Sequence, residues 1–395
     1  MSLYLDCNAS TPIDDRVQET LLTWLAQPGN PGNTRHPAGR RARYAIEQAR
    51  ATLAAAVGCP PDGVVFTSGA TESNNMALFG VAGGVSGRTR SHILTTPLEH
   101  SSVKAPLQYL SWAGYDVETV PVGPSGRVDP AEIAARVRPD TCLISVVHVQ
   151  GETGIIQPIE AIAEAVADRQ LIFHVDAAQG FAHDHGPLAH PAVDLVSLSA
   201  HKMYGPQGVG ALIIKGRATH PQILAPRTYG GGQEGGFRSG TPPVALVAAM
   251  GHAVELVVSE SADRSVMSRA WGVRFDEAMA PFQPVVFGDG QYRVPHVRTV
   301  AFPHLDAPLA VELLSPVVSI SAGPACSAGQ PQTSPALLAM GVAPEVADGA
   351  MRFSWCHETP SLDVAAFQAA IHRVLAEAVA DPVTTGEVVM PPPMP

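Results

Sequence analysis

"DLVSLSAHKMYGPQGVGALII", residues 194–214, joins two β-branched apolar runs through a short segment that carries a lysine. The first run ends at Ser199, and His201 and Lys202 follow it almost at once. Desolvation at the end of a buried strand favours the neutral amine and lowers the lysine pKa below its free value of about 10.4. A neutral amine can attack a carbonyl and form a Schiff base. The stretch therefore predicts a strand end that carries either a reactive lysine or, as is more usual, a solvated surface lysine.

Five further β-branched runs precede this stretch and alternate with amphipathic helical patterns. They span residues 64–67, 92–96, 117–122, 141–149 and 171–176. Continuously apolar strands that alternate with helices indicate a mostly parallel sheet covered on both faces. We therefore predict an α/β fold with a mostly parallel seven-stranded sheet flanked by helices. Ligands of such sheets bind beyond the carboxyl ends of the strands, which is where the motifs of this chain cluster.

The length and composition of the chain leave room for two domains. It has 395 residues, of which 46% are hydrophobic, enough for one large core and a smaller lobe. The alternation of strands and helices stops near residue 260. We predict a large domain over residues 15–260 and a smaller α+β domain formed by residues 1–14 and 261–380. Residues 381–395 are proline-rich and predict a tail without a fold of its own.

Charge and hydropathy exclude several classes of partner. The formal net charge is −11 and the chain has no run of lysine and arginine, so direct nucleic-acid binding by counterion release is not expected. No apolar stretch approaches the roughly 20 residues that a membrane helix needs. The first residues, "MSLYLDCNAS", lack the basic start and apolar middle of a signal peptide. A cytoplasmic protein without membrane contact is predicted.

The cysteines are five and widely spaced, without a CxxC pair: Cys7, Cys59, Cys142, Cys326 and Cys356. This pattern argues against a disulfide framework and against a metal site, and it favours a reducing compartment. Cys326 lies among small residues in "SISAGPACSAGQPQTS", a segment typical of a loop with a reactive thiol. We expect Cys59, Cys142 and Cys356 to act as small buried hydrophobic side chains. The role of Cys7 stays open.

An anion site is predicted in "FTSGATESNN", residues 66–75, where a strand runs through Ser68, Gly69, Ala70 and Thr71 into a helix. Small residues let backbone N–H groups approach an anion at the helix N-terminus, and a threonine hydroxyl adds a donor. The alternative is an ordinary helix cap made by a hydroxyl residue with a glutamate behind it. The motif alone does not separate the two.

A buried carboxylate is predicted in "HVDAAQG", residues 174–180, because Asp176 ends an apolar strand. Such a carboxylate needs a cation, either a structural arginine or a protonated ring nitrogen. An anion site, this carboxylate and the Ser-x-His-Lys of the opening stretch are together the three parts that pyridoxal phosphate needs. Two further pieces fit the same cofactor. His100 follows a strand and could stack on a flat ring, and Arg238, Ser239 and Thr241 lie in the glycine-rich loop "GGGQEGGFRSGT".

Six ordered motifs, within a match that runs from "YLDCNASTP" to "MRFSW", resemble those of the NifS/IscS-type cysteine desulfurases. These enzymes belong to the class V aminotransferase group of fold-type I pyridoxal-phosphate enzymes, which have a smaller C-terminal domain. The resemblance implies that Lys202 carries the cofactor covalently, that Asp176 pairs with the pyridine nitrogen and that His100 stacks on the ring. It further implies roles for Gln179 at the ring oxygen, for Ala70, Thr71, Ser199 and His201 at the phosphate, for Thr241 at the phosphate of the partner subunit in a homodimer, and for Arg352 at the substrate carboxylate.

The reaction implied by the resemblance is conversion of L-cysteine to L-alanine, with the sulfur held as a persulfide on Cys326 and passed to a sulfur-acceptor protein. An alternative with the same cofactor is β-elimination from cystine or an S-substituted cysteine. A non-catalytic scaffold is a third possibility. Two positions depart from the family pattern: Gly151 stands where an asparagine is usual, and His357 stands where an arginine is common. The sulfur's destination is left open among iron–sulfur assembly, thiolation of tRNA or DNA, and a cofactor or natural product.

Overall fold

A computed structural model describes residues 2–84, 90–219, 223–323 and 333–377. Cys326 and the predicted tail 381–395 lie outside the described residues. The strands are β1 (Leu3–Tyr4), β2 (Val64–Thr67), β3 (His92–Thr95), β4 (Asp116–Thr119), β5 (Thr141–Val147), β6 (Ile172–Asp176), β7 (Leu195–Ser199), β8 (Gly210–Ile214), β9 (Val285–Val286), β10 (Val297–Ala301), β11 (Val318–Ser319), β12 (Ser321–Ala322) and β13 (Ala350–Ser354). The helices are α1 (Asp15–Leu25), α2 (Pro37–Val57), α3 (Ala70–Gly83), α4 (Ser101–Trp112), α5 (Pro130–Arg136), α6 (Ile159–Val166), α7 (Val244–Met279), α8 (Ala307–Leu314), α9 (Pro335–Ala339), α10 (Pro344–Ala347) and α11 (Val364–Glu377).

The seven predicted strands form one sheet, in the order β2–β8–β7–β6–β5–β3–β4. All neighbours from β7 to β4 are parallel, whereas β8 runs antiparallel to both β7 and β2. The predicted fold class, a mostly parallel sheet flanked by helices, is confirmed. The carboxyl ends of β5, β6 and β7 therefore lie side by side at one edge.

Both faces of the sheet are buried. Successive side chains of a strand point to opposite faces, so each strand contributes to two cores. Leu143 and Leu195 belong to the core on one face, and Ile144 and Val196 belong to the core on the other. Every residue of β5, β6, β7 and β8 is buried. A chain segment that ends such a strand is held rigidly, which suits a site that needs fixed geometry.

A second, four-stranded antiparallel sheet has the order β12–β13–β10–β9 and its own aromatic core. Phe275 contacts two other rings there: its centroid lies 5.0 Å from that of Phe353 and 5.5 Å from that of Trp355. The N-terminal residue Leu5 is buried in the same core, and β1 pairs with β11. Because of this arrangement, we propose the same two domains that the sequence predicts: a large domain and a smaller one that includes the N-terminal residues.

Helix α7 links the two cores and is 36 residues long, about 54 Å at 1.5 Å per residue. It crosses residue 260, where the sequence predicts the boundary between the domains. The described chain contains this one helix that is long and apolar enough to cross a membrane, with a mean hydropathy of 1.4 over its most apolar window. Its apolar side chains pack inside the protein: Val254 lies in a core of the seven-stranded sheet and Phe275 in the core of the four-stranded sheet. Arg264 of the same helix pairs with the buried Asp14 at 3.0 Å.

Candidate active site

Lys202 stands at the carboxyl end of β7, in a single turn of 3₁₀ helix that follows Ser199. Its Nζ donates hydrogen bonds to the backbone carbonyls of Asn8 and Ala9, at 2.5 and 2.9 Å. The chain has three lysines, Lys104, Lys202 and Lys215. Lys215 is buried and its Nζ donates to backbone carbonyls away from this edge of the sheet. Lys202 is thus the lysine that directly follows a strand end at the predicted ligand edge.

Asp176 ends the neighbouring strand β6, which runs parallel to β7. The side chain is 3% exposed; its Oδ2 accepts a hydrogen bond from Asn74 Nδ2 at 2.8 Å and its Oδ1 accepts from the N–H of Ala178 at 3.1 Å. No lysine, arginine or histidine of the described chain lies within ion-pair distance of it. A buried carboxylate without a cation is costly, so this carboxylate fits a protonated ring nitrogen of a bound cofactor.

The start of helix α3 lies against the end of β7. Its N-cap, Gly69, has a φ of 152° that favours glycine, and a Cβ built there would lie 3.5 Å from Ser199 Oγ. Ala70 and Thr71 are the first residues of the helix, with Thr71 exposed. Free N–H groups and the helix dipole favour an anion at such a terminus. The structure thus brings together Ala70, Thr71 and Ser199, three of the four phosphate ligands predicted within one subunit.

Of the ordinary cap that the sequence allowed as an alternative, only the glutamate half is present, because the N-cap is Gly69 and makes no side-chain cap hydrogen bond. Glu72 Oε2 accepts a hydrogen bond from the N–H of Ser68 at 2.6 Å. Arg238 of the glycine-rich loop pairs with the other oxygen of Glu72 at 3.0 Å. The glutamate therefore holds the turn before α3 and joins the predicted glycine-rich loop to it.

His201 and Gln179 flank Lys202. Burial, and then the charge of Lys202, lower the pKa of His201 to about 4, and its Nδ1 lies 3.3 Å from Ser10 Oγ. A neutral imidazole acts as a hydrogen-bond partner of a phosphate and not as a second cation. Gln179 Nε2 donates to the Asn8 carbonyl at 2.8 Å. Asn8 thus contacts two of the predicted site residues, and the sequence had given no role to it.

His100 and Thr241 occupy exposed positions. His100 is the N-cap of α4, with Nδ1 2.7 Å from Ser102 Oγ, and Ser102 accepts a hydrogen bond from the same Asn74 that bonds Asp176. This places the imidazole beside the predicted ring site. Thr241 precedes α7, and no hydrogen bond within the described chain joins it to the other predicted site residues.

Arg352 lies in the centre of β13 and is 4% exposed. Its guanidinium donates to Asp6 Oδ1 at 2.7 Å, to Ser321 Oγ at 3.2 Å and to the Gly151 carbonyl at 3.0 Å. Its Nε is buried and has no hydrogen-bond partner in the described chain. Ser321 pairs with Arg352 across the small sheet, five positions before Cys326. Arg352 is thus held close to the segment that continues to the candidate thiol.

The two departures from the family pattern have different surroundings. A Cβ at Gly151 would contact only the Gln179 side chain at 3.7 Å, an ordinary distance, so packing does not require glycine there. The amide of Asn8 donates to the Gly151 carbonyl at 2.6 Å. His357 packs edge-on against Tyr204 with ring centroids 4.8 Å apart, and burial lowers its pKa to about 4. His357 is therefore neutral near pH 7.

Comparison with known proteins decides the family, since the class-V aminotransferase model matches residues 3–367. The chain belongs to the class-V aminotransferase family. The cysteine desulfurase IscS of Photorhabdus laumondii is 36% identical over 359 residues, 90% of this chain and 88% of the relative. A solved NifS-like protein has a TM-score of 0.87 at 32% identity and covers 95% of this chain and 100% of its own. DndA from Streptomyces lividans has a TM-score of 0.77 at 38% identity, over 89% and 99%. The resemblance to the NifS/IscS-like group is confirmed.

This class-V aminotransferase also buries two glutamates beside the site that the sequence had not singled out. Glu99 Oε1 accepts hydrogen bonds from Thr96 Oγ1 at 2.7 Å and the Val147 N–H at 2.9 Å. Glu152 Oε2 accepts from Ser334 Oγ at 2.6 Å. The second oxygen of each carboxyl has no partner in the described chain. Each glutamate follows a strand end, the signal that had identified Asp176.

Glu99→Gln is expected to remove a decline of stability with pH. Burial raises the pKa of Glu99 from 4.5 to about 8, so between these values the folded protein binds a proton that the unfolded chain has lost. Stability therefore falls as pH rises through this window, by up to about 1.4 kcal/mol per pH unit. Denaturant unfolding at about pH 5.5 and about pH 7.5 measures the difference. Between the lower and the higher pH, the free energy of unfolding should fall less in Glu99→Gln than in the wild type. Glu345→Gln, at an exposed position, should fall as the wild type does. The same fall in the wild type and in Glu99→Gln would contradict the assignment.

Proposed function

We propose that this class-V aminotransferase is a pyridoxal-phosphate-dependent cysteine desulfurase that converts L-cysteine to L-alanine and holds the sulfur as a persulfide on Cys326. The observation that carries the proposal is one edge of the sheet. There Lys202 follows the end of β7, Asp176 ends β6, buried and without a cationic partner in the described chain, and α3 begins beside them. Relatives at 35–38% identity over about 90% of the chain carry the name cysteine desulfurase, and β-elimination is not favoured.

The residues present fit pyridoxal phosphate. When bound, this cofactor withdraws electrons from the α-carbon of an amino acid. The group would be held by Lys202 through its aldehyde, by Asp176 at the ring nitrogen, by Gln179 at the ring oxygen, by His100 on the ring face, and by Ala70, Thr71, Ser199 and His201 at the phosphate. A non-catalytic scaffold is disfavoured because each of these positions carries a side chain or N–H group suited to its part.

The chain's own residues divide the reaction among them. Arg352 binds the substrate carboxylate, for which a fixed guanidinium is well shaped. Lys202 moves the α-proton as a general base and then a general acid. The Cys326 thiolate attacks the substrate sulfur; an S–S bond forms, the C–S bond breaks, and its electron pair stays on the β-carbon, which takes up a proton as alanine forms.

Cys326→Ala is expected to lower alanine formation from L-cysteine by about 100-fold or more, because the sulfur loses its acceptor. The assay measures alanine and sulfide in the presence of a reductant, and it measures pyruvate in the same samples. Cys59→Ala, at a partly exposed cysteine, is the matched control and should keep wild-type rates. Full activity of Cys326→Ala would exclude the persulfide step, and pyruvate in place of alanine would establish β-elimination.

The partners follow from the same proposal. The enzyme acts as a cytoplasmic homodimer in which Thr241 reaches the phosphate of the other subunit; its exposure in a single protomer leaves it available for that contact. The described cysteines are all free thiols, which suits a reducing compartment. The persulfide passes to a sulfur-acceptor protein, and the acidic chain does not itself bind nucleic acid.

A further inference from the structure

Glu234 of the glycine-rich loop is held against the edge of the seven-stranded sheet. Its side chain is 4% exposed. Its Oε1 accepts a hydrogen bond from Arg50 Nη2 at 2.9 Å, and its Oε2 accepts from Arg50 Nη1 at 3.0 Å and from the Phe66 N–H at 2.8 Å. Phe66 belongs to β2, the edge strand that precedes the predicted phosphate site at the start of α3. One carboxylate therefore fastens the loop to this strand.

The pair of Arg50 and Glu234 takes the place of a neighbouring strand at the open edge of β2. Alternate residues of an edge strand carry unpaired N–H and C=O groups on its open side. Arg50, which is buried, donates to the Val64 carbonyl, and Glu234 accepts from the N–H of Phe66 two residues later. A bidentate pair of a guanidinium and a carboxylate is among the strong charge-assisted contacts in proteins. This anchor is therefore firm and specific in its geometry.

The backbone of Glu234 does not by itself favour a glutamate. Its φ is 49°, in the left-handed region where a residue with a Cβ is disfavoured. The other loop positions with a positive φ on either side of it, at Gly232, Gly235 and Gly236, are glycines. The contacts of the carboxylate offset this backbone strain. The side chain thus has a task that glycine could not perform.

The fixed position of Glu234 is passed along the loop to Thr241. Gln233, the preceding residue, accepts a hydrogen bond on its Oε1 from the Gly240 N–H at 2.9 Å. Gly240 directly precedes Thr241. Between these points, Arg238 is fixed by its ion pair with the glutamate in the first turn of α3, at 3.0 Å. Both halves of the loop are therefore tied to the strand and helix that form the predicted phosphate site of the same subunit.

We propose that Glu234 is a positioning residue for the cofactor of the partner subunit. By fastening the glycine-rich loop to β2 through Arg50, it holds Thr241 where the hydroxyl meets the phosphate in the partner's site. A loop without this anchor must be ordered when the phosphate binds, and the entropy of ordering is lost from the binding free energy. The inference rests on the proposed function, in which Thr241 acts across the dimer, and it assigns to Glu234 no contact with cofactor or substrate.

Glu234→Asn is expected to weaken binding of pyridoxal phosphate by the full-length homodimer about tenfold, the order of one hydrogen bond to a charged group. Asparagine tolerates the left-handed backbone but is uncharged and too short to reach both partners. The matched control is Glu47→Gln, because Glu47 pairs with the same Arg50 at 3.2 Å from within α2. It should keep the wild-type dissociation constant, measured by titrating the apoenzyme with pyridoxal phosphate and recording its absorbance.

Two mixed dimers, purified through different affinity tags on their two protomers, separate an effect on the partner from an effect within the subunit. In both, one protomer carries Lys202→Ala, so only the other protomer, the reporting protomer, holds the cofactor covalently and gives its absorbance. With Glu234→Asn added to the Lys202→Ala protomer, cofactor affinity of the reporting protomer should fall about tenfold. With Glu234→Asn in the reporting protomer, its affinity should equal that of the dimer without this substitution.

Three results would overturn the inference: a loss of affinity only when Glu234→Asn is in the reporting protomer, no loss in either dimer, or an equal loss in both. An equal loss is what a merely structural role or a folding defect gives. Where Glu234→Asn protomers do not assemble, Glu234→Gln replaces it in the same two dimers and should give the same order of affinities. A dimer with Lys202→Ala alone in one protomer that holds no cofactor covalently would overturn the proposed function, and this inference with it.

Discussion

Lys202→Ala is expected to reduce alanine formation from L-cysteine by a factor on the order of 10³ or more. The lysine is both the covalent anchor and the group that moves the α-proton, and loss of general acid–base catalysis alone accounts for about 10²–10⁴-fold. Lys215 offers no substitute, because backbone carbonyls away from this edge of the sheet hold its Nζ.

The covalent link can be assigned without an activity assay. Borohydride reduction of the wild-type holoenzyme fixes the cofactor to its lysine, and peptide mapping then finds which of the three lysines carries it. We expect the label on the peptide that contains Lys202, with none in Lys202→Ala. A label on Lys104 or Lys215, or a rate within tenfold of wild type in Lys202→Ala, would contradict the proposed function.

The sequence could predict the parts of the site that follow strand ends. A buried parallel sheet brings the carboxyl ends of its strands to one edge, so "DLVSLSAHK" and "HVDAAQG" had to place Lys202 and Asp176 near each other. The limits of the strands lie within three residues of those predicted. Glu99 and Glu152 follow the same rule, four and five residues beyond the ends of β3 and β5, so the same signal could have found them.

Contacts made across the whole chain carry no such local signal. Asn8 bonds Lys202 across 194 positions, and Asp6 pairs with Arg352 across 346. Both follow from the path of the N-terminal segment beside β13, which is set by tertiary packing and not by any periodicity.

Helix α7 continues beyond residue 260, where the alternation of strands and helices stops. The apolar pattern of its first half weakens after residue 261, yet the helix continues through Gly272 to Met279, and the next proline along the chain is Pro281. Its second half serves the smaller core, where Trp271 and Phe275 supply the buried face. A helix that serves two cores changes its buried face along its length and shows no single periodic stripe.

Arg352→Gln is expected to raise the KM for L-cysteine about 100-fold while changing kcat much less, because loss of one partner of a buried charge pair costs about 2–5 kcal/mol. An interaction made equally with substrate and transition state appears in KM and not in kcat. Arg298→Gln is the matched control: Arg298 lies on the neighbouring strand β10 and pairs at 2.9 Å with Asp276, which is half exposed. Its loss should leave KM within a few-fold.

The variant leaves Asp6 without its guanidinium, so a general loss of structure must be separated from loss of substrate binding. Asp6→Asn combined with Arg352→Gln removes both charges and should restore stability but not KM. Cysteamine, which is cysteine without the carboxylate, gives the decisive comparison. Wild-type enzyme should prefer L-cysteine to cysteamine by about the same 100-fold, and Arg352→Gln should lose most of that preference. A variant that keeps the preference would show that another group binds the carboxylate, and Arg352 would then serve only to hold Asp6 and the Gly151 carbonyl in place.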